Sequence, residues 1–299
     1  MNLTTLANVK AWIPNISNSN SDSLLTSLIT SCSSQILAFI NRPNLWQTSF
    51  NDYFDGLPRS GRVMLQNWPV LSVSSVVIST KTVPVAPNPG AAGWALEPWD
   101  GSAPGAPQRV GITGYGGYLN SPGYSPADIG YASNGLLVSS FGSGGGGNFQ
   151  NVVISYVAGY VQQNEAQTVP GTPYKVTVNC PYGNWVQDQG VKYASTGVAL
   201  TAVASNPAVG QYVPPSSANV NQYTFAAADT ATSMLISYSY VPFALEQGCI
   251  EWVGERFRSR DRIGVKSQSI AGQETVAYTQ GMSQAVQLLI GQYSKSFPL

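Results

Sequence analysis

Asp52 and Asp55 are the first residues in this chain whose types and spacing could do chemistry. Two carboxylates three positions apart could share general acid and base work, but that needs a third ligand, a histidine or a basic partner nearby. None is adjacent in sequence, and Asp55-Gly56 followed by Ser60-Gly61 reads as a pair of turns. Histidine is absent from the whole chain, which removes the commonest general base and the commonest metal ligand together. Cys32, Cys180 and Cys249 are odd in number and far apart, and two fall on apolar helical faces, so they read as buried free thiols. The run GSGGGG at 142–147 lacks the Lys and the Ser/Thr of a phosphate-binding loop and is followed by no helical pattern, so it reads as a hairpin tip. The spacing of the 14 acidic residues does not suggest a glycosidase pair. No catalytic, cofactor-binding or metal-binding residue is expected.

The one concentrated chemistry is cationic. Arg256, Arg258, Arg260, Arg262 and Lys266 fall within eleven residues, opposed locally by Asp261 and Glu274. Arginine's planar fork clamps carboxylates with two parallel hydrogen bonds, and such pairs strengthen when an interface excludes water. The element that must carry these side chains is a helix. After Pro242, apolar residues recur at Leu245, Cys249, Trp252, Val253 and Phe257, one helical face. Glu246, Glu251 and Glu255 come early and the arginines late, the order the helix dipole favours. Beyond Arg262 the sequence IGVKSQSIAGQETVAYTQG has no helical period and is punctuated by Gly264, Gly272 and Gly281. It is expected to be a mobile arm, because it cannot bury enough surface to offset about 1 to 2 kcal/mol of backbone entropy per residue. Ser283 then caps a short helix with Val286, Leu289, Ile290 and Tyr293.

The remaining chain alternates between a few firm elements and long loops. Thr4 to Ile13 predicts a short helix stopped by Pro14; Asp22 is a plausible cap for a second helix whose stripe is Leu25, Ile29, Cys32, Ile36, Phe39 and Ile40. From Tyr53 the period becomes two, with strands predicted around Val63 to Leu65 and Val70 to Ser79. Residues 84–147 are rich in Gly, Pro and Tyr and read mostly as loop, with strands at Trp94 to Glu97 and Leu136 to Ser140. Asn151 to Tyr160 alternates as a strand. Between Val161 and Val241, short alternating segments at 8 to 12 residue spacing suggest a sandwich or barrel.

Charged residues are only 9% of the chain, against about a quarter in typical soluble domains. Fourteen basic residues balance 14 acidic ones, so no excess charge is left to neutralise phosphates and any nucleic-acid contact is passive. The N-terminal MNLTTLANVKAW has neither the basic nor the apolar region of a leader, and no run approaches the roughly 18 apolar residues of a membrane span. The chain is expected to be made and kept in a reducing cytoplasm.

From Leu245 through ERFRSRDRIGVKSQSIAGQETVAY, the chain resembles the last helix and tail of the head-tail connector (adaptor, head completion) proteins of tailed bacteriophages. At the other end, LTTLANVKAWI and SDSLLTSLITSCSSQILAFINRP resemble the family's two opening helices, and YFDGLPRSGRVMLQNWPVLSVSSVVIS resembles its first strand pair. These matches span about half the chain. The resemblance implies an α+β fold: a small helical bundle with a β-sheet as connector body, at 1–160 and 242–299, plus an inserted all-β sandwich-like domain at 161–241. The insertion departs from the family's simplest members, in which a strand like NVVISYVAGY leads straight into the last helix.

Function by this resemblance is structural. Identical subunits, commonly twelve, form a ring beneath the portal protein at the virion neck, joined below to a stopper, tail-terminator or tail protein. DNA passes through passively, and no cofactor is implied. The expected contacts with portal or neighbouring subunit are Arg256, Arg258, Arg260, Arg262, Ile263, Val265, Lys266, Ile270, Val276 and Tyr278. A different class of function, a receptor- or glycan-binding tail protein, is suggested by the aromatic-rich loops and the inserted strands.

Overall fold

The computed structural model describes residues 1–14, 19–55, 61–78, 81–88, 91–97, 108–113, 150, 152–216, 221–260, 267–270, 274–277 and 281–295. It is an α+β protein, with about 25% helix and 39% strand among the described residues. The chain divides into two compact units, Met1–Leu45 with Gln162–Ser294, and Trp46–Val161 with Lys295–Leu299. Strands 162–242 are thus grouped with the helices.

In the first unit, helices α1 (Leu6–Trp12), α2 (Asp22–Phe39) and α4 (Gln284–Gly291) all pack on α3 (Phe243–Arg258). The apolar face of α3 is buried as its period requires, with Leu245, Cys249 and Val253 at 0% exposure and Trp252 at 3%; Phe257 is half-buried. Gly248 lets α4 come close, because a Cβ there would stand 2.6 Å from the Ile290 side chain. On α2, Leu25, Ile29, Cys32, Ile36 and Ile40 are buried, but Phe39 is exposed and Leu37 is buried in its place. Phe39 lies three residues past Ile36, to the side of the stripe that Ile40 continues.

The caps differ in part from expectation. Thr5 caps α1 by accepting from the Asn8 amide at 3.3 Å, and Ser283 caps α4 by accepting from the Val286 amide at 3.4 Å. Asp22 is the first residue of α2 rather than its cap, and its carboxylate pairs with Lys10 of α1 at 2.5 Å. The exposed face of α2 is uncharged; Thr26, Ser27 and Thr30 donate their hydroxyls to carbonyls one turn back.

Between these helices the unit contains two sheets. One orders β10 (Gly183–Tyr193), β14 (Ser233–Pro242) and β8 (Val161–Thr168); the other orders β11 (Thr201–Ala202), β12 (Gln211–Val213), β13 (Gln222–Phe225) and β9 (Lys175–Thr177). β10 with β14, β12 with β13 and β13 with β9 are antiparallel, and β11 with β12 is parallel. Strand β14 alternates until Tyr238 and is continuously buried from there to Pro242, where α3 begins. The three cysteines are free and buried. Burial pushes the thiols up, to about 11 for Cys32 and about 12 for Cys249, so none is a ready nucleophile.

The second unit has sheet β1 (Thr48–Phe54), β7 (Val152–Ala158), β3 (Val70–Ile78), β4 (Lys81–Val83) and sheet β2 (Arg62–Met64), β6 (Arg109–Thr113), β5 (Gly93–Glu97), both antiparallel. Their inward residues, including Val63, Val76, Val110, Ile112, Ile154 and Tyr156, form one core. The expected first strand pair is corrected here: β2 pairs with β6, and β3 pairs with β7 and β4, not with β2. Asp52 is likewise no turn residue, being the buried position of β1. The predicted strand at 136–140 and the glycine run at 142–147 lie outside the described residues.

Candidate functional site

The end of α3 gathers the cationic residues onto an exposed surface. Arg256, Arg258 and Arg260 are all exposed, in the last turn of the helix and just past it, where cations meet the negative end of the helix dipole. The Arg256 guanidinium lies over the Trp252 ring, 5.2 Å from its centroid, and that of Arg260 over the Phe257 ring at 4.4 Å. Stacking of this kind holds each guanidinium over its ring. Ser259 closes the helix by donating its hydroxyl to the Glu255 carbonyl at 2.6 Å. Arg256 and Arg258 form no ion pair among the described residues.

Downstream, β15 (Ser267–Ile270) and β16 (Glu274–Ala277) form an antiparallel hairpin in which Ile270 is opposite Glu274 and Val276 opposite Gln268. Among the described residues these strands pair only with one another. The structure thus brings Arg256, Arg258 and Arg260 together and sets Ile270 and Val276 in one hairpin, while Arg262, Ile263, Val265, Lys266 and Tyr278 lie outside the described residues. Sequence reasoning took the whole segment as an arm without regular structure. The hairpin's signal was two four-residue runs separated by three residues that include Gly272.

A second polar feature was not foreseen. Four carboxylates, Asp52, Glu165, Asp188 and Asp229, accept from tyrosine hydroxyls. Tyr156 donates to Asp52 at 2.7 Å, and the Gln66 amide donates to the same oxygen at 3.0 Å. Tyr212 and Tyr223 both donate to Asp188, at 2.6 and 3.0 Å; Tyr238 donates to Glu165 at 2.5 Å and Tyr193 to Asp229 at 2.9 Å. Glu246, in the first turn of α3, accepts from Thr4 at 3.1 Å, from Asn8 at 2.7 Å and from Asn184. The partners sit on strands and helices distant in sequence, and no local spacing announces them.

These tyrosines keep their protons. Burial, together with the carboxylate each hydroxyl serves, raises Tyr156, Tyr193, Tyr212 and Tyr238 above the ordinary phenol range, and burial with the Asp188 charge does the same for Tyr223. In the unfolded chain they ionise near pH 10, so above that pH the unfolded state holds fewer protons and stability falls as pH rises. A titration at 295 nm is therefore expected to show these phenols ionising only as the protein unfolds cooperatively in alkali. Smooth ionisation near pH 10 with the fold retained would contradict the pairing.

Elsewhere the geometry offers little chemistry. Among the described residues no group of three Cys, Asp or Glu side chains could hold a metal ion. A groove of about 710 Å³ at the end of α2 is lined by residues that include Met1, Leu37 and the buried Arg42, with no carboxylate or thiol. No helix among the described residues is long and apolar enough to cross a membrane. No protein-family model and no curated protein matches the chain.

Proposed function

We propose that this chain is a structural virion protein, a head-tail connector subunit that assembles into a ring under the portal and joins the capsid to the tail, with the genome passing through. The observation that carries the reading is the end of α3, with its exposed arginines, followed in the sequence by a hairpin that, among the described residues, no sheet of the same chain takes up. An isolated two-stranded hairpin is marginal in water, so such an element belongs to a protein that meets a partner. The ring is taken to hold twelve subunits by family resemblance, and its partners are the portal above and a stopper, tail-terminator or tail protein below. It is assembled in the host cytoplasm and resides at the virion neck, without catalysis or cofactor.

In this reading the helices form a small bundle that, with a β-sheet, makes the connector body, and 161–241 is an inserted sandwich-like β domain. The helices bury their own apolar faces. Replacing 161–241 by a short Gly/Ser link is therefore expected to leave a cooperatively unfolding remainder, with a lowered melting temperature because Glu246 loses Asn184. Loss of all cooperativity would make those strands part of the body.

Native mass spectrometry of the chain, alone and mixed with a portal protein, tests the function. Rings or portal-bound subunits are expected. A second reading, a receptor- or glycan-binding tail protein, rests on the half-exposed Tyr182, its ring tilted at 39° to that of Tyr240 with centroids 6.2 Å apart. Glycan binding without portal binding would favour it.

A further inference from the structure

We propose that the outward face of α2 pairs with the same face of a second copy, antiparallel about a two-fold axis near Ser31. The proposal goes beyond the connector reading and uses neither its arginines nor its hairpin. Leu24 and Phe39, near the two ends of α2, are large apolar side chains left 42% and 48% exposed. Ala38 and Ser34, both exposed, line the groove of about 710 Å³ at the end of the same helix. Knob and hole therefore lie on one element.

Their spacing makes the face complementary to itself. Leu24, Ser31 and Ala38 are all exposed and recur every seven residues, about two helical turns, so they share one side of α2. At about 1.5 Å per residue, Leu24 and Ala38 stand roughly 10 Å along the axis on either side of Ser31. A two-fold axis at Ser31 sets Leu24 of each copy over Ala38 of the other, between Phe39 and the groove, and makes that contact twice. Serine at the crossing point lets the two backbones approach, and Ala38 leaves room for the leucine between its neighbours.

Charge selects the same occupant. From Ser23 to Phe39 there is no Asp, Glu, Lys or Arg, although about a quarter of the residues in soluble domains are charged. A two-fold pairing sets a surface against itself, which like charges resist and an uncharged face permits. A parallel pairing would also bring the first residue of α2, Asp22, against its own copy; the antiparallel one separates the two carboxylates and opposes the helix dipoles. Polar groups of the face are partly spent within the helix. Ser27 and Thr30 donate their hydroxyls to carbonyls one turn back, and the Gln35 amide donates to the Ser31 hydroxyl at 3.1 Å. Covering them costs correspondingly little.

One helix crossing covers less than the roughly 800 Å² per partner of a standard interface, so the pair is expected to be weak. Sedimentation equilibrium of the full chain, from about 1 to 200 μM, is expected to show monomers passing into two-subunit species. Leu24→Glu and Ala38→Lys, both at exposed positions, should each weaken pairing about tenfold or more while keeping the melting temperature within about two degrees. Both changes on one chain should restore pairing, because residue 24 of each copy then meets an opposite charge at residue 38 of the other, whereas the two positions are too far apart to meet within a copy. A chain that stays monomeric across the range would leave the groove to some other protein and overturn the proposal. Association untouched by either single variant would place the contact elsewhere and overturn it too, as would a double variant no stronger than the single ones. Rings differ from pairs in mass and need head-to-tail contacts, so the connector reading stands or falls separately.

Discussion

Trp252→Ala is expected to leave the protein largely insoluble, or to lower its melting temperature by about 6 to 20 °C. Trp252 is 3% exposed at the middle of α3, the helix against which α1, α2 and α4 all pack. Truncating a buried aromatic typically costs about 3 to 5 kcal/mol, because the transferred surface is lost and the cavity collapses only in part. Whole domains are stable by only about 5 to 15 kcal/mol, so this single change consumes a large share. At about 2 to 4 °C per kcal/mol for a domain of this size, the shift is easily measured. Arg256 would also lose the ring beneath its guanidinium, a smaller effect at an exposed site. Trp252→Phe separates the contributions: its indole nitrogen has no acceptor among the described residues, so Phe keeps most of the packing without stranding a polar group. A soluble Trp252→Ala variant with unchanged melting temperature would show that this face is not the core of the unit.

Glu246→Ala is expected to destabilise by about 1 to 3 kcal/mol, the cost of leaving the buried Thr4 hydroxyl without its acceptor, while the exposed Asn8 and half-buried Asn184 can turn to water. Glu246 is 6% exposed and joins three places in the chain: Thr4 and Asn8 around the start of α1, Asn184 on β10, and α3 itself. Its position in the first turn adds a favourable interaction with the helix dipole. Glu246→Gln keeps a carbonyl for one or two of the donors but loses the charge and the second acceptor oxygen. The expected order of melting temperatures is wild type, then Gln, then Ala. If Ala and wild type melt together, the carboxylate does not organise the junction.

The parts of this fold legible in the sequence were those whose partners are local. The face of α3, the stripe of α2, the Ser283 cap and the alternation of β7 follow from periods of 3.6 and 2, which need no knowledge of what lies opposite. What escaped was set by distant partners. Strand β1, Thr-Ser-Phe-Asn-Asp-Tyr-Phe, buries an aspartate, so its pattern reads as polar unless the Tyr156 hydroxyl across the sheet is known. Strands β8 and β10 are rich in Gln, Asn and Asp, and two bulges in β10 break its alternation. The tyrosines that make such strands viable are on β12, β13 and β14. At the candidate site, the arginines were visible as a run of charge. Their stacking on Trp252 and Phe257 follows from helical spacing of four and three residues, but the pairing of 267–270 with 274–277 was masked by weak, mostly polar strand sequences.

Fastening carboxylates with neutral hydroxyls and amides also separates two responses to ionic strength. Screening acts on pairs of opposite charge, over about 8 to 10 Å in ordinary buffers, and hardly on a hydrogen bond from a phenol. Ion pairs of the fold such as Lys10 with Asp22 and Glu97 with Arg62 and Arg109 stand at part-exposed sites, where each contributes little. The folded subunit should therefore be nearly indifferent to salt, while any partner gripped by the arginine end is released by it. In concentrated brine, a partner held at the arginine end would leave behind an intact subunit rather than an unfolded one.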